Sequence, residues 1–200
     1  MVTRADVQGR LGAFEVRSIF PGPDTRSAAV VILVAPCHGH RGIWLTRRPA
    51  GMSRHSAQFA LPGGRLDPGE TPHEAALREL HEEMGIKLGA ETIIGDLDDY
   101  RTRSGYVISP TVAWIDEEIE PTPNPDEVEH VFHIGLGELA EAAPVFETIA
   151  ESERPVMALP LLGRLIHAPT AALMYQFTAV ALRGDDIRVA DYEQPLFAWR

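Results

Sequence analysis

The chain has 200 residues, 44% of them hydrophobic and 24% charged, and its 29 acidic and 18 basic side chains leave a formal net charge of −11. That is the size and balance of one globular domain with a core of its own. The acidity excludes a nucleic-acid partner held by counterion release, and no stretch approaches the roughly 18 apolar residues of a membrane span.

Residues 1–25 read as an N-terminal extension. A short helix is expected around Asp6 to Phe14, and the breakers Phe20-Pro21-Gly22-Pro23-Asp24 end the extension. Ala28 to Ala35 is an apolar, β-branched run and predicts a buried strand. Gly42 to Arg47 predicts a second strand, with Pro36 and Gly39 in the loop between. The lone Cys37 excludes a disulfide framework or a thiolate zinc site and points to a reducing, cytoplasmic compartment. His38 and His40 beside it read as loop residues. Gln58 to Leu61 is short and extended and runs into a turn at Pro62-Gly63-Gly64.

Pro72 to Met84 predicts a helix. Thr71 suits the N-cap, Pro72 the first helical position and Gly85 the C-terminal cap. Glu74 completes a capping box with Thr71. Strands are expected at Thr92 to Leu97, Tyr106 to Ile115 and Val128 to Ile134. The acidic, proline-containing segment Glu117 to Asp126 reads as a mobile loop. Gly137 to Ala143 reads as one or two helical turns and Ala143 to Pro155 as irregular or partly helical. Thr170 to Leu182 reads as a largely buried helix. A tail at 184–200 carries apolar Leu196, Phe197 and Trp199, which suit packing on the body or a homodimer contact. The interleaved elements make one α/β domain over 1–200, with its core at about 26–183.

The chemistry concentrates on the helix at 72–84. At about 100° per residue, Glu79, Glu82 and Glu83 fall within about 100° of arc, while Leu77, Leu80 and Met84 lie toward the opposite side. Like charges at this spacing repel, and the C-terminal half of a helix disfavours anions. A solvated acidic face is one explanation. A divalent cation is the other, since hard ions take carboxylate oxygens and bind alongside substrate phosphates. Arg78 suits a role in orienting a carboxylate of this helix. At Gly63 and Gly64 the backbone comes close enough for its carbonyls to add oxygen ligands.

Gly64, Glu70, Arg78, Glu79, Glu82, Glu83 and Gly85, with Leu80 and Ile86 in the apolar slots, resemble the Nudix box at every fixed position. That resemblance implies an α/β/α sandwich around a mixed sheet, with the box as loop–helix–loop. It implies hydrolysis of a nucleoside diphosphate linked to another group. Glu79, Glu82 and Glu83 would bind Mg²⁺ or Mn²⁺, with Glu70 and the Gly63 or Gly64 carbonyl assisting, and Arg78 would hold a glutamate in place. The general base would be Glu79, Glu82 or a carboxylate of a later loop, for which Asp126, Glu127 and Glu129 are the candidates.

Upstream, Leu45, Thr46, Arg48, Pro62, Gly63 and Gly64 are similar to the motif of the coenzyme A pyrophosphatase branch, as are His55 and Gln58 to common neighbours in it. Pro49, Ser53, Ala57 and Leu61 depart from it, and Arg54 stands one place from the branch's arginine. The segment from Leu97 to Tyr106 is also similar to that branch. The implied reaction cleaves coenzyme A or an acyl derivative to 3′,5′-ADP and a 4′-phosphopantetheine product. ADP-ribose, a nucleotide sugar, a dinucleotide or a nucleoside triphosphate are alternative substrates, and a non-hydrolytic ligand sensor is an alternative role. Arg47, Arg48, Arg54 and Arg103 are the cations placed to meet the phosphates of such a ligand, or else to pair with surface acids. His55 reads as a structural hydrogen-bonder.

Overall fold

The computed structural model describes residues 2–20, 22, 25–49 and 58–198. In chain order the elements are α1 (Arg4–Ala13), β1 (Arg26–Cys37), β2 (His40–Arg47), β3 (Phe59–Ala60), β4 (Gly63–Arg65), α2 (Pro72–Met84), β5 (Ile93–Asp96), β6 (Tyr100–Arg101), β7 (Tyr106–Trp114), β8 (His130–Gly135), α3 (Leu136–Glu141), β9 (Val145–Ile149), β10 (Ser152–Leu161), β11 (Arg164–His167) and α4 (Thr170–Phe177). A π-helical stretch, Thr178–Arg183, prolongs α4 and ends at Gly184 in the left-handed region.

β1 is the spine. Its alternate side chains serve two cores, as a strand buried on both faces must. Ala29, Val31, Leu33 and Ala35 pack with Ala75, Ala76, Leu80 and Met84 of α2. Ile32 and Val34 pack on the other face with Val7 and Leu11 of α1 and with Leu173, Met174 and Phe177 of α4. The result is an α/β/α sandwich. Its sheet is mixed, because β1 runs parallel to β7 and antiparallel to β2 and β4.

The sheet is split where the box begins. β2 pairs with β1 only from Val34↔Ile43 to Cys37↔His40. Beyond that, β3 pairs with Thr46 and Arg47 of β2, and β4 pairs with Ala28 to Val30 of β1. The chain from Phe59 to Arg65 thus wedges between the two strands. It delivers Gly63 and Gly64 to the middle of the sheet, directly upstream of α2.

Several sequence expectations change. Pro36 belongs to β1, and the turn to β2 is only His38-Gly39, both at positive φ, as a tight two-residue hairpin requires. Ala143 to Pro155 is largely strand: β9, β10 and β11 form a separate three-stranded sheet whose Met157, Leu159, Leu161 and Ile166 join the α1/α4 core. The Glu117 to Asp126 segment is fastened rather than mobile, with Thr122 N–H donating to Met84 O at 2.8 Å and Asn124 N–H to Glu83 O at 3.0 Å. These bonds satisfy carbonyls that the end of α2 would otherwise leave without partners. Leu77 is only partly buried, and Ala75 and Ala76 fill the greasy face of α2 in its place. No helix among the described residues is long and apolar enough to cross a membrane. Trp199 lies outside the described residues.

Candidate active site

α2 is fixed at both ends before any chemistry begins. The Thr71 hydroxyl accepts from Glu74 N–H, and the Glu74 carboxylate accepts from Thr71 N–H at 2.8 Å, so the capping box is complete. Gly85 closes the helix at φ 68°. A side chain there would collide with Thr122 as well as strain the backbone, so the helix end and the fastened loop fit only with glycine.

Arg78 spends every guanidinium donor on the site. Nε and Nη2 grip the two oxygens of Glu70 at 2.8 and 3.0 Å. Nη1 donates to Glu79 Oε1 and to Glu82 Oε2, both at 2.9 Å. Nη2 also reaches the Arg65 carbonyl at 3.0 Å. The five N–H groups of a guanidinium are thereby used up. Hydrogen bonds from Arg78 hold the Glu70 carboxyl below the ordinary carboxylate range, and those to Glu70 first, then Glu79, raise Arg78 itself.

Glu83 is buried, unlike its neighbour Glu82. It accepts from Gly63 N–H at 3.2 Å and pairs with Arg48 at 3.3 Å. Burial pushes its pKa up to about 7 against the opposing pull of Arg48 and the Gly63 amide, and the charges of Glu79 and Glu127 add to the rise. Glu79 is half-buried and is raised for the same leading reason, desolvation, with Glu82 and Glu127 contributing and Arg78 opposing. Glu127 Oε2 is itself buried without a hydrogen-bond partner among the described residues. An orphaned carboxylate oxygen beside two raised glutamates is an arrangement that costs free energy unless positive charge joins it.

Among the described residues no three acidic or imidazole groups are gathered closely enough to hold an ion as they stand. Arg78 draws Glu79 and Glu82 toward itself, and Arg48 draws Glu83. The donor set nevertheless fits a hard divalent ion, being all oxygen, carboxylate-rich, partly desolvated and mutually repelling. Gly64 supplies the steric evidence. A Cβ built on it would fall within 2.6 Å of both oxygens and the carboxyl carbon of Glu79. The Glu79 carboxylate thus takes the space that any side chain at 64 would need.

On the opposite face of the sheet, the same glycines open into a cavity of about 340 Å³. Phe59, Leu61, Ile108 and Leu173 give it apolar walls, with Gln58, Thr170 and Gln194 among its polar groups. Among the described residues its charged lining groups are Arg48 and Arg65, with no acid. Arg65 donates to Tyr106 Oη at 2.8 Å and also lies over that ring. A second cavity of about 500 Å³ shares Gln58, Phe59, Pro169, Thr170 and Ala198 with the first, so the two are neighbours.

The structure brings together Glu70, Arg78, Glu79, Glu82, Glu83, Gly64 and Arg48. It does not bring Arg47 or Arg103 into the cavity lining. Arg47 pairs with Glu129 at 3.2 Å and contacts His130, and Arg103 pairs with Glu193 at 2.8 Å. Glu129 is therefore committed to a surface pair. Asp126 is exposed, and of the three loop acids it is Glu127 whose charge acts on Glu79 and Glu83. Ser53, Arg54, His55 and Ala57 lie outside the described residues. Arg65 and Gln194 line the cavity without having been expected there. Arg65 has a local signal, since it follows Gly64 directly in a short extended segment. Gln194 carries none.

A NUDIX domain family model matches residues 24–159. The chain is 36% identical over 142 residues to Nudix hydrolase 3 of Caenorhabditis elegans, over 68% of this chain and 58% of that protein. It is 31% identical over 131 residues to a Yersinia enterocolitica protein named Uncharacterized Nudix hydrolase NudL, over 64% of this chain and 67% of that one. The match thus spans about three-fifths of the length of such relatives. Among solved structures, the Nudix hydrolase RenU of M. smegmatis is 24% identical with a TM-score of 0.48, over 76% of this chain and 81% of that one.

Proposed function

The chain belongs to the Nudix family, and on that premise we propose that it is a divalent-metal-dependent pyrophosphohydrolase of nucleoside diphosphate derivatives. The observation that carries the reading is the Gly64–Glu79 fit. A side-chain-free backbone position that also lines the cavity has the space beside it filled by a carboxylate of α2 that Arg78 holds.

Glu79, Glu82 and Glu83 are the carboxylates we assign to the ion, Mg²⁺ or Mn²⁺, with Glu70 and the Gly64 backbone assisting. The ion supplies neutralised phosphoryl oxygens and an activated water. The chain's own residues do the rest. Arg78 holds the acids in register while they carry like charge. Glu127 is the loop carboxylate best suited to take the proton of the attacking water, because its buried oxygen is not bound to an arginine. Arg48 and Arg65 are suited to the substrate's phosphates, and Phe59 and Tyr106 to a flat base.

Within that class, we favour coenzyme A or an acyl derivative, cleaved to 3′,5′-ADP and a 4′-phosphopantetheine product. The partial motif upstream of the box supports this, as does a cavity with no acid among its described lining residues beside a second cavity, which suits a long, uncharged arm. The test is incubation with coenzyme A, ADP-ribose, a nucleotide sugar, a dinucleotide and a nucleoside triphosphate, each with Mg²⁺ or Mn²⁺, and identification of products by mass spectrometry. Cleavage of coenzyme A within its diphosphate is expected. Rapid turnover of ADP-ribose with none of coenzyme A would overturn the substrate assignment, and no turnover of any would overturn the hydrolase.

A further inference from the structure

Part of the cavity wall comes from beyond residue 159, where the family match ends: Pro169 at the N-cap of α4, Thr170 and Leu173 within it, and Gln194 and Ala198 of the tail. The tail is built in firmly. Tyr192 O accepts from Tyr100 Oη at 2.8 Å. Glu193 N–H donates to Pro155 O at 2.8 Å, and Glu193 O accepts from Met157 N–H at 3.3 Å, so that the tail pairs with β10 at Val156.

The side chains repeat the pattern. Glu193 is 4% exposed, yet charged groups are rarely buried unless paired. One of its oxygens accepts from Arg103 Nε at 2.8 Å and Ser152 Oγ at 2.9 Å, and the other from Gln194 N–H at 2.9 Å. Gln194 is 3% exposed, and its Oε1 accepts from Arg103 N–H at 2.8 Å. An ion pair and an amide are thus spent on fixing one residue against a cavity. For stability alone, apolar side chains would serve as well.

We propose that residues 192–198 form a specificity strap, in which Gln194 meets an uncharged part of the substrate and Glu193 is the positioning residue that fixes it. This rests on the diphosphate reading given above. The chemistry follows from the lining. Apart from Arg48 and Arg65, the lining among the described residues is amide and hydroxyl groups on apolar walls. The group seated there is uncharged and carries N–H and C=O functions, as a nucleobase or an amide-containing arm does.

The test is calorimetric binding of coenzyme A, ADP-ribose and inorganic pyrophosphate to the full chain, with Ca²⁺ present. Gln194→Ala is expected to weaken whichever of the first two the parent prefers by about fivefold or more, the worth of one net hydrogen bond. Pyrophosphate, which has no uncharged part, is expected to change less than about twofold on the same scale. Gln194→Met keeps the volume and is expected to repeat the pattern. Glu193→Ala is expected to copy Gln194→Ala, and Glu193→Gln, which keeps an acceptor for the Gln194 amide, to restore the parent's ratio. A strap that only stabilised the fold would weaken all three ligands alike, and that result, or no weakening at all, overturns the proposal. If the parent binds coenzyme A or ADP-ribose but hydrolyses neither with Mg²⁺ or Mn²⁺, the hydrolase reading fails while the strap stands. If it binds neither, the strap falls too.

Discussion

Gly63 and Gly64 are adjacent, and alanine should affect them in opposite ways. At Gly64 the new Cβ would meet the Glu79 carboxylate, within 2.6 Å of both oxygens. That obstacle is the far end of a flexible side chain, and it must retreat by about 1 Å to reach ordinary contact. The retreat breaks the 2.9 Å bond to Arg78, a charge-assisted bond worth about 1.5–3 kcal/mol at most, and less where it is partly solvated. The fold should therefore survive Gly64→Ala with a loss of about 1 kcal/mol. A misplacement of about 1 Å at a reacting centre costs on the order of 10²-fold in rate, and that is the expected fall in kcat. At Gly63 the Cβ would lie 2.7 Å from Val30 Cα and closer still to the Ala29 carbonyl oxygen, at φ 156°. Those are strand atoms that cannot yield. Overpacking and strain at a glycine-only conformation each cost about 1–3 kcal/mol, so Gly63→Ala should lose about 2–6 kcal/mol on summing the two. Urea unfolding of both variants, alongside hydrolysis of a diphosphate substrate, separates them. If Gly64→Ala kept full activity, or unfolded as readily as Gly63→Ala, the placement of Glu79 argued from this contact would be wrong.

Arg78→Lys supplies three donors where five are used, so it should release part of the Glu70–Glu79–Glu82 cluster and lower kcat by about 10–100-fold, with little change in KM. Glu83 titrates at about 7 in the folded protein, above the roughly 4.3 of an unfolded chain. The folded state then holds the extra proton between those values, and metal-free stability should fall as pH rises from about 4 to 7 and level off above. Mg²⁺ should consequently raise Tm more at pH 8 than at pH 5.5, and an equal rise at both would count against Glu83 as a ligand. Glu127→Gln should lower kcat by about 10²-fold yet raise the Tm of the metal-free protein, because it removes a charge that burdens Glu79 and Glu83; a variant with unaltered kcat would remove Glu127 from the reaction. Arg48→Ala should raise KM by about tenfold or more, while Arg47→Ala, which breaks only an exposed pair, should change it less than about twofold; equal effects in steady-state assays would refute the division between the two arginines.

The elements that were legible in the sequence are those whose signals are local. α2 carries its cap, its first-turn proline and its closing glycine within 15 residues, and its bounds emerge as read. β1 is a continuous apolar run and was equally plain, although its far end was obscured by Pro36, which strand geometry accepts beside a two-residue turn. The second sheet was missed for three physical reasons. β9 is almost wholly exposed and shows no alternation. β10 contains Pro155 and Pro160, which read as breakers. Its turn into β11 places Leu162 at φ 55° before Gly163, and leucine is not a residue that announces a left-handed turn.

The site divides along the same line. The carboxylates and Arg78 interact within about two turns of one helix and its lead-in loop, so their spacing in the sequence is their geometry in space. The arginines expected to meet substrate are long side chains whose partners lie far along the chain. Arg47 finds Glu129 at a separation of 82 residues, and Arg103 finds Glu193 at 90. In a chain with 29 acids, an unassigned arginine is more often claimed by a carboxylate than left for a phosphate. What separates Arg48 from the other two is its partner. Glu83 is raised to about 7 and tied also to Gly63 N–H, so near neutral pH it holds Arg48 with only part of a charge. A phosphate arriving at Arg48 and a cation arriving at Glu83 would each strengthen the other's claim by breaking that pair. Binding of the two should therefore be mutually reinforcing, through this contact rather than through any pair on the surface.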